Sequence, residues 1–153
     1  MRALELKIPP PVVALLCAAL MWAVAHYWPS SAWAGPWRLP LTLLLVALGG
    51  AADLSGLLAF RRHRTTVNPL APQNSSTVVQ DGIYRYSRNP MYLGMALLLT
   101  AWAVWLAQPA CLLVLPLFVG YITRFQILPE ERILQARFGT PYQDYLRRVR
   151  RWL

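Results

Sequence analysis

A chain of 153 residues has room for one domain, and 57% of this one is hydrophobic while only 14% is charged. Its mean hydropathy of +0.38 is too high for an ordinary soluble domain of this length and points to a small multi-span membrane protein. The formal charge of +9, from 15 basic and 6 acidic residues, flanks apolar runs, so it reads as loops beside anionic lipid and not as a nucleic-acid surface. Two cysteines, Cys17 and Cys111, lie inside apolar runs and give neither a disulfide framework nor metal-ligand spacing.

In chain order, Met1–Lys7 is a short start carrying Arg2 and Lys7, and Pro9-Pro10-Pro11 fits a helix entrance. Val12–Trp28 then predicts a first span of about 25 Å, a retained helix and not a cleaved signal. His26 falls near its outer end and reads as a wet interfacial histidine. Pro29–Pro40 is a turn region, with Trp28, Trp33 and Trp37 as interface anchors. Leu39–Phe60 is the second predicted span. Gly49, Ala52 and Gly56 recur at helical spacing and would let another helix approach closely, which leaves the oligomeric state open. Asp53 lies inside this span, so it should face protein or a wet cavity, either paired within the bundle or serving a site.

Arg61-Arg62-His63-Arg64 ends the second span, and a polar linker with Asn68-Pro69, Pro72 and Asn74-Ser75-Ser76 follows. Met91–Leu106 and Cys111–Ile127 form a second apolar hairpin around the Gln108-Pro109 turn, with Pro116 a candidate kink. Beyond Pro129 the pattern turns amphipathic. Glu130–Arg137 reads as a helix ended by Gly139, and Thr140-Pro141 as an N-cap followed by Pro at the first helical position. Tyr142, Tyr145, Leu146 and Val149 share one face of the last helix. With Arg147, Arg148, Arg150, Arg151 and Trp152, it reads as a helix lying on an anionic membrane surface. The expected fold is therefore an all-α, multi-pass helical bundle of about four spans, one domain over residues 1–153, with a C-terminal amphipathic segment. Arginines crowd Arg61–Arg88 and the stretch after Arg124 and are sparse in the two other connections. The positive-inside rule then puts both termini on the cytoplasmic side of the cell membrane.

The two polar stretches meet on that side. In the first, Gly82 permits a tight turn, and Asn89-Pro90 starts a helix at Pro90. The N–H groups of that first turn, beside Arg88, can take an anion. Tyr84 and Tyr92 offer ring faces to a planar base or a sulfonium. The same residues also suit a plain belt of Tyr and Arg at the membrane interface. In the second stretch Glu130 and Glu131 favour the helix dipole. One carboxylate could also receive cofactor hydroxyls or an ammonium while the other holds an arginine.

The ordered set Gly82-Ile83-Tyr84, Arg88-Asn89-Pro90-Met91-Tyr92-Leu93-Gly94, Glu130-Glu131, Leu134, Phe138-Gly139, Tyr142 and Tyr145 resembles the integral-membrane methyltransferases that include isoprenylcysteine carboxyl methyltransferase and the phospholipid methyltransferases. The likeness covers Arg61 to Trp152. It implies S-adenosylmethionine as cofactor, held on the cytoplasmic face by Ser76, Val79, Tyr84, Arg88, Asn89, Pro90, Met91, Tyr92 and Glu130. It implies Glu131 and Arg124 at the reacting end, Arg124 orienting an acidic substrate group, with Gln126 a competing position. Asn89 stands where that family has His, and Asn cannot titrate near neutrality. The acceptor would be lipophilic and enter from the bilayer: a carboxylate, or else a phospholipid amine whose proton a carboxylate would accept. The tail also resembles that of NADPH-dependent sterol reductases, and a membrane protein that kept the fold without the activity is a third reading.

Overall fold

The computed structural model describes residues 5–28, 33–63, 70 and 72–153. The expectations placed on Arg2, Arg64, Asn68-Pro69 and the first residues of the Pro29–Pro40 loop lie outside them. The described residues are helical, without strands. Three helices are long and apolar enough to cross a membrane: α1, Pro10–Tyr27; α2, Arg38–Arg62; and a continuous helical run from Pro109 to Phe138. The fourth, α3 (Pro90–Trp105), is apolar but only 16 residues long, about 24 Å at 1.5 Å per residue. Leu15, Leu16, Leu43, Leu44 and Leu48 stay exposed on α1 and α2, a surface that only a lipid environment satisfies.

Proline sets the helix starts. α1 begins at Pro10, earlier than the expected Val12, and α3 at Pro90; both put the missing N–H where no partner is needed. Near the end of α1, His26 is exposed and stacks on Trp22 at 5.2 Å. Cys111 is buried and its thiol donates to the Met21 carbonyl.

α3 packs on both α1 and α2, whereas α1 and α2 do not form a packed pair. The α2–α3 contact is a glycine seam. A Cβ on Gly94 would lie 2.8 Å from the Gly49 carbonyl oxygen and would overlap the Asp53 carboxyl. Backbones therefore touch, as small residues allow between membrane helices. Asp53 has its Oδ1 buried there without a hydrogen-bond partner. No polar group among the described residues bonds that oxygen, and the carboxyl is packed against Gly94.

The last apolar run differs from the expected single helix Cys111–Ile127. It starts as a 3-10 turn, Pro109–Leu113, becomes α4 (Val114–Ile122), widens to a π-helical turn at Thr123–Ile127, and continues without a break into α5 (Leu128–Phe138). Pro116 falls in the first turn of α4, where its missing N–H costs little. The irregularity lies instead ahead of Pro129, which has no N–H to return to the Phe125 carbonyl one turn back. The backbone N–H of Leu6 donates to that carbonyl at 3.0 Å.

Gly139, with φ of +59°, ends α5 and caps α6 (Thr140–Arg148). Thr140 is thus the first helical residue and not the cap. A larger correction concerns what α6 covers. Tyr142 and Tyr145 are buried against the protein, and the Trp152 indole turns back to donate to Thr123 Oγ1 at 3.2 Å. The Tyr145 hydroxyl and the Trp152 indole carry donors that are buried readily only with partners, and the protein supplies both. The expected membrane-lying face is the face that closes the molecule.

Candidate functional site

The start of α3, the Gly82–Arg85 turn, the end of α2, the 70–79 linker, α5, α6 and the Pro9–Pro11 entrance of α1 surround one cavity of about 460 Å³, within the usual range for small-molecule sites. Its walls are mostly apolar, from Phe60, Met91, Met95, Ile127 and Leu134. Its polar groups converge from Arg88, Asn89, Tyr92, Glu130 and Glu131.

Two adjacent carboxylates have opposite surroundings. Glu131 is bridged by two guanidiniums. Arg151 grips it with two bonds, Nε to Oε1 at 3.0 Å and Nη2 to Oε2 at 2.8 Å, and Arg88 Nη1 lies 3.2 Å from Oε1. The Arg88 and Glu131 side chains are only 11% and 13% exposed, so the pair is well shielded from water. Hydrogen bonding to Glu131 holds Arg151 above its ordinary pKa. Glu130 receives neutral donors instead: the Tyr92 hydroxyl at 2.8 Å and Gln126 Nε2 at 2.6 Å. Gln126 reaches it across one helical turn, the ordinary i,i+4 neighbour distance.

The tail is stitched onto the Arg88-Asn89 corner. The Arg88 N–H donates to the Arg150 carbonyl at 3.0 Å, and Asn89 Nδ2 donates to the Arg151 carbonyl at 2.9 Å. Asn89 also donates its own N–H to Ser87 Oγ at 3.1 Å. The Tyr145 hydroxyl donates to the Tyr84 carbonyl at 2.8 Å, and Phe60 meets the Tyr84 ring edge-on at 5.5 Å. Burial pushes the Tyr84, Tyr142 and Tyr145 phenols well above the usual range, so they remain donors at any physiological pH. One donor near the cavity has no protein partner: Arg88 Nε is buried without a hydrogen bond.

Of the residues expected at the cofactor, Val79, Tyr84, Arg88, Asn89, Met91, Tyr92 and Glu130 line the cavity, as does Glu131. Ser76 and Pro90 do not line it. The linker presents Ser75 and Thr77 there, and Pro90 is buried behind its neighbours. Arg124 is not brought to the cavity. Its guanidinium binds the Glu5 carboxylate at 3.1 Å. Sequence reasoning missed Arg151 as the clamp on Glu131, and Phe60 and Pro9–Pro11 as walls. It placed Tyr142 and Tyr145 on lipid. Gln126, expected only as the alternative to Arg124, donates instead to Glu130. Arg151 was not legible, because nothing local says that the chain reverses at Gly139.

Fold and site together define a helical membrane protein that encloses a small-molecule cavity at the polar edge of its spans. Residues 37–141 match the family model described as phospholipid methyltransferase, and the chain belongs to that family. Among curated proteins it is 28% identical over 113 residues to the mouse protein-S-isoprenylcysteine O-methyltransferase, a stretch that is 74% of this chain and 40% of the mouse enzyme. It is 43% identical over 63 residues, 41% of its length, to the whole of an uncharacterized protein of Haemophilus influenzae. No solved structure matches.

Proposed function

We infer that the protein transfers a methyl group from S-adenosylmethionine to the polar end of a lipophilic acceptor at the cytoplasmic face of the cell membrane. One observation carries the cofactor assignment. The cavity pairs a buried donor without a protein partner, Arg88 Nε, with a carboxylate that has only neutral partners, Glu130. An α-amino acid presents the complementary charges, a carboxylate and an ammonium. Tyr84 offers an aromatic wall, and the mostly apolar lining suits a sulfonium that must be kept from water. S-adenosylmethionine supplies an activated methyl, so this chain has only to bind, align and exclude water. Arg151 and Arg88 keep Glu131 fixed, Tyr145 locks α6 over the Tyr84 turn, and the tail shuts the Asn89 corner.

A carboxyl acceptor, as in an isoprenylcysteine, is the first reading, supported by the mouse relative. An amine is the second. It is favoured by Glu130, whose carboxylate has no cationic partner and can take the proton an amine must lose. The acceptor would reach the cavity beside Met91 and Met95, between α1 and α2, which do not pack together.

The test is calorimetric titration of the detergent-purified protein with S-adenosylmethionine, and separately NADPH. Binding of S-adenosylmethionine should weaken about tenfold in Glu130→Gln (about 1.4 kcal/mol). Absence of binding by folded protein would overturn the reading, and NADPH binding alone would replace it with a reductase. Methyl transfer to a farnesylcysteine analogue, set against phosphatidylethanolamine, then separates the two acceptors.

A further inference from the structure

On the side of α5 away from the cavity, two arginines hold an acid that belongs to neither the site nor a span. We propose that Arg124 and Arg132 form a second binding site, for the phosphodiester of an anionic phospholipid, and that Glu5 occupies it in the free protein.

The geometry is that of an oxyanion clamp. Arg124 Nη1 lies 3.1 Å from Glu5 Oε1, and Arg132 Nη2 bonds Oε2, one guanidinium on each oxygen. A phosphodiester presents the same pair of oxygens, and Arg is the side chain best matched to them. Eight residues apart on one continuous helical run, the two arginines reach the same carboxylate, while Glu130 lines the cavity. Neither arginine lines the cavity. Their side chains are 42% and 56% exposed, whereas Glu5 is only 12% exposed, so a ligand can reach the clamp from outside while its internal occupant is covered. Arg124 stands near the end of the last apolar run, beside the Tyr121–Phe125 ring pair at 4.8 Å. That is the composition of a headgroup-level belt, so the phosphates of the adjoining leaflet lie at the right depth.

Both arginines are half-exposed, so solvent screens their hold on Glu5. Leu6, next to Glu5, has φ of +56°, a left-handed conformation that a branched side chain adopts only under constraint. Its N–H bond to the Phe125 carbonyl is the other tether. A lipid phosphate can replace the ion pairs without the strain. Pro9–Pro11, a few residues on, line the cavity, so release of Glu5 frees the segment that leads into one wall of the methyl-transfer site. The clamp does not depend on what that cavity binds.

Native mass spectrometry of the full chain, with short-chain phosphatidylglycerol, phosphatidylcholine or inorganic phosphate added separately, tests this. Phosphatidylglycerol should bind, about fivefold or more tightly in Glu5→Gln, because an internal competitor has gone. Glu5→Asp, too short to reach both arginines, should move in the same direction. Arg124→Gln and Arg132→Gln should each weaken binding about tenfold. Amide exchange at Leu6 should speed up when phosphatidylglycerol is added to the wild type. Unchanged or weaker phosphatidylglycerol binding in both Glu5 variants, or full binding in the arginine variants, overturns the proposal. Equal binding of phosphatidylcholine overturns the requirement for an anionic lipid. Displacement by inorganic phosphate alone assigns the site to a soluble anion and overturns the lipid.

Discussion

Between α2 and α3 the protein is held by shape, and around Glu131 it is held by charge. At the seam, Gly49 and Gly94 bring two backbones into contact, and the Asp53 carboxyl packs against Gly94 with its Oδ1 unbonded among the described residues. At the polar cap, three side chains from the loop before α3, from α5 and from the tail meet in one ion cluster, and the surrounding backbone is tied by hydrogen bonds across more than sixty residues of chain. The seam lies where no water can compete and where hydrophobic burial gives no advantage over lipid. The cap lies at the polar edge of the spans, and its charges are paired with one another and largely shielded from water.

Gly94→Ala puts a methyl onto the Asp53 carboxyl and 2.8 Å from the Gly49 carbonyl oxygen, which is backbone and cannot move cheaply. It should cost about 3 kcal/mol in unfolding measured in detergent, and Gly94→Ala with Asp53→Ala should recover only part of that. Glu131→Gln leaves two guanidiniums around a neutral group. It should cost about 2 kcal/mol, less than a fully buried pair because Arg151 is one-third exposed. Adding Arg151→Gln should return some of this loss. Raising the salt concentration should weaken the wild-type cap but not the seam. Tyr145→Phe removes one buried bond to the Tyr84 carbonyl and should cost about 1 kcal/mol.

Alkali sharpens the same point. The three buried phenols have raised folded-state pKa values, so their stabilisation is complete below the unfolded tyrosine value and falls as pH rises past about 10. An alkaline unfolding midpoint that shifts upward in Tyr142→Phe with Tyr145→Phe is the expected result. Arg148→Gln, which gives up an exposed bond to Gln80, should change stability by less than about 0.5 kcal/mol.

The two neighbouring glutamates show how far sequence reading reaches. Glu130-Glu131 after Pro129 was legible as a pair at a helix start, and their likeness to a family tail marked them for a site. Which of the two takes the arginines was not legible. Arg151 is twenty residues further on, and its approach depends on the positive φ at Gly139 and on where α6 comes to rest. Tyr142 and Tyr145 illustrate the same limit. Their spacing fixes that they share a face, but a helix with two tyrosines on one side and arginines on the other suits a membrane surface as well as a protein surface.

What the sequence determined by itself is local and compositional. Apolar runs of span length give membrane helices, Pro90 gives a helix start, Gly139 gives a stop, and the ordered Arg-Asn-Pro-Met-Tyr-Leu-Gly and Glu-Glu motifs give the family. Tertiary structure alone decided the pairings: Arg151 and Arg88 on Glu131, Tyr92 and Gln126 on Glu130, Arg124 and Arg132 on Glu5, Asp53 against Gly94. The physical reason is that helix formation and membrane insertion depend on neighbours within a turn or two and on total hydrophobicity. The partner of a charge depends instead on which distant segment arrives within 3 Å of it, and the +9 chain, with more than two cations for each acid, leaves that choice to packing.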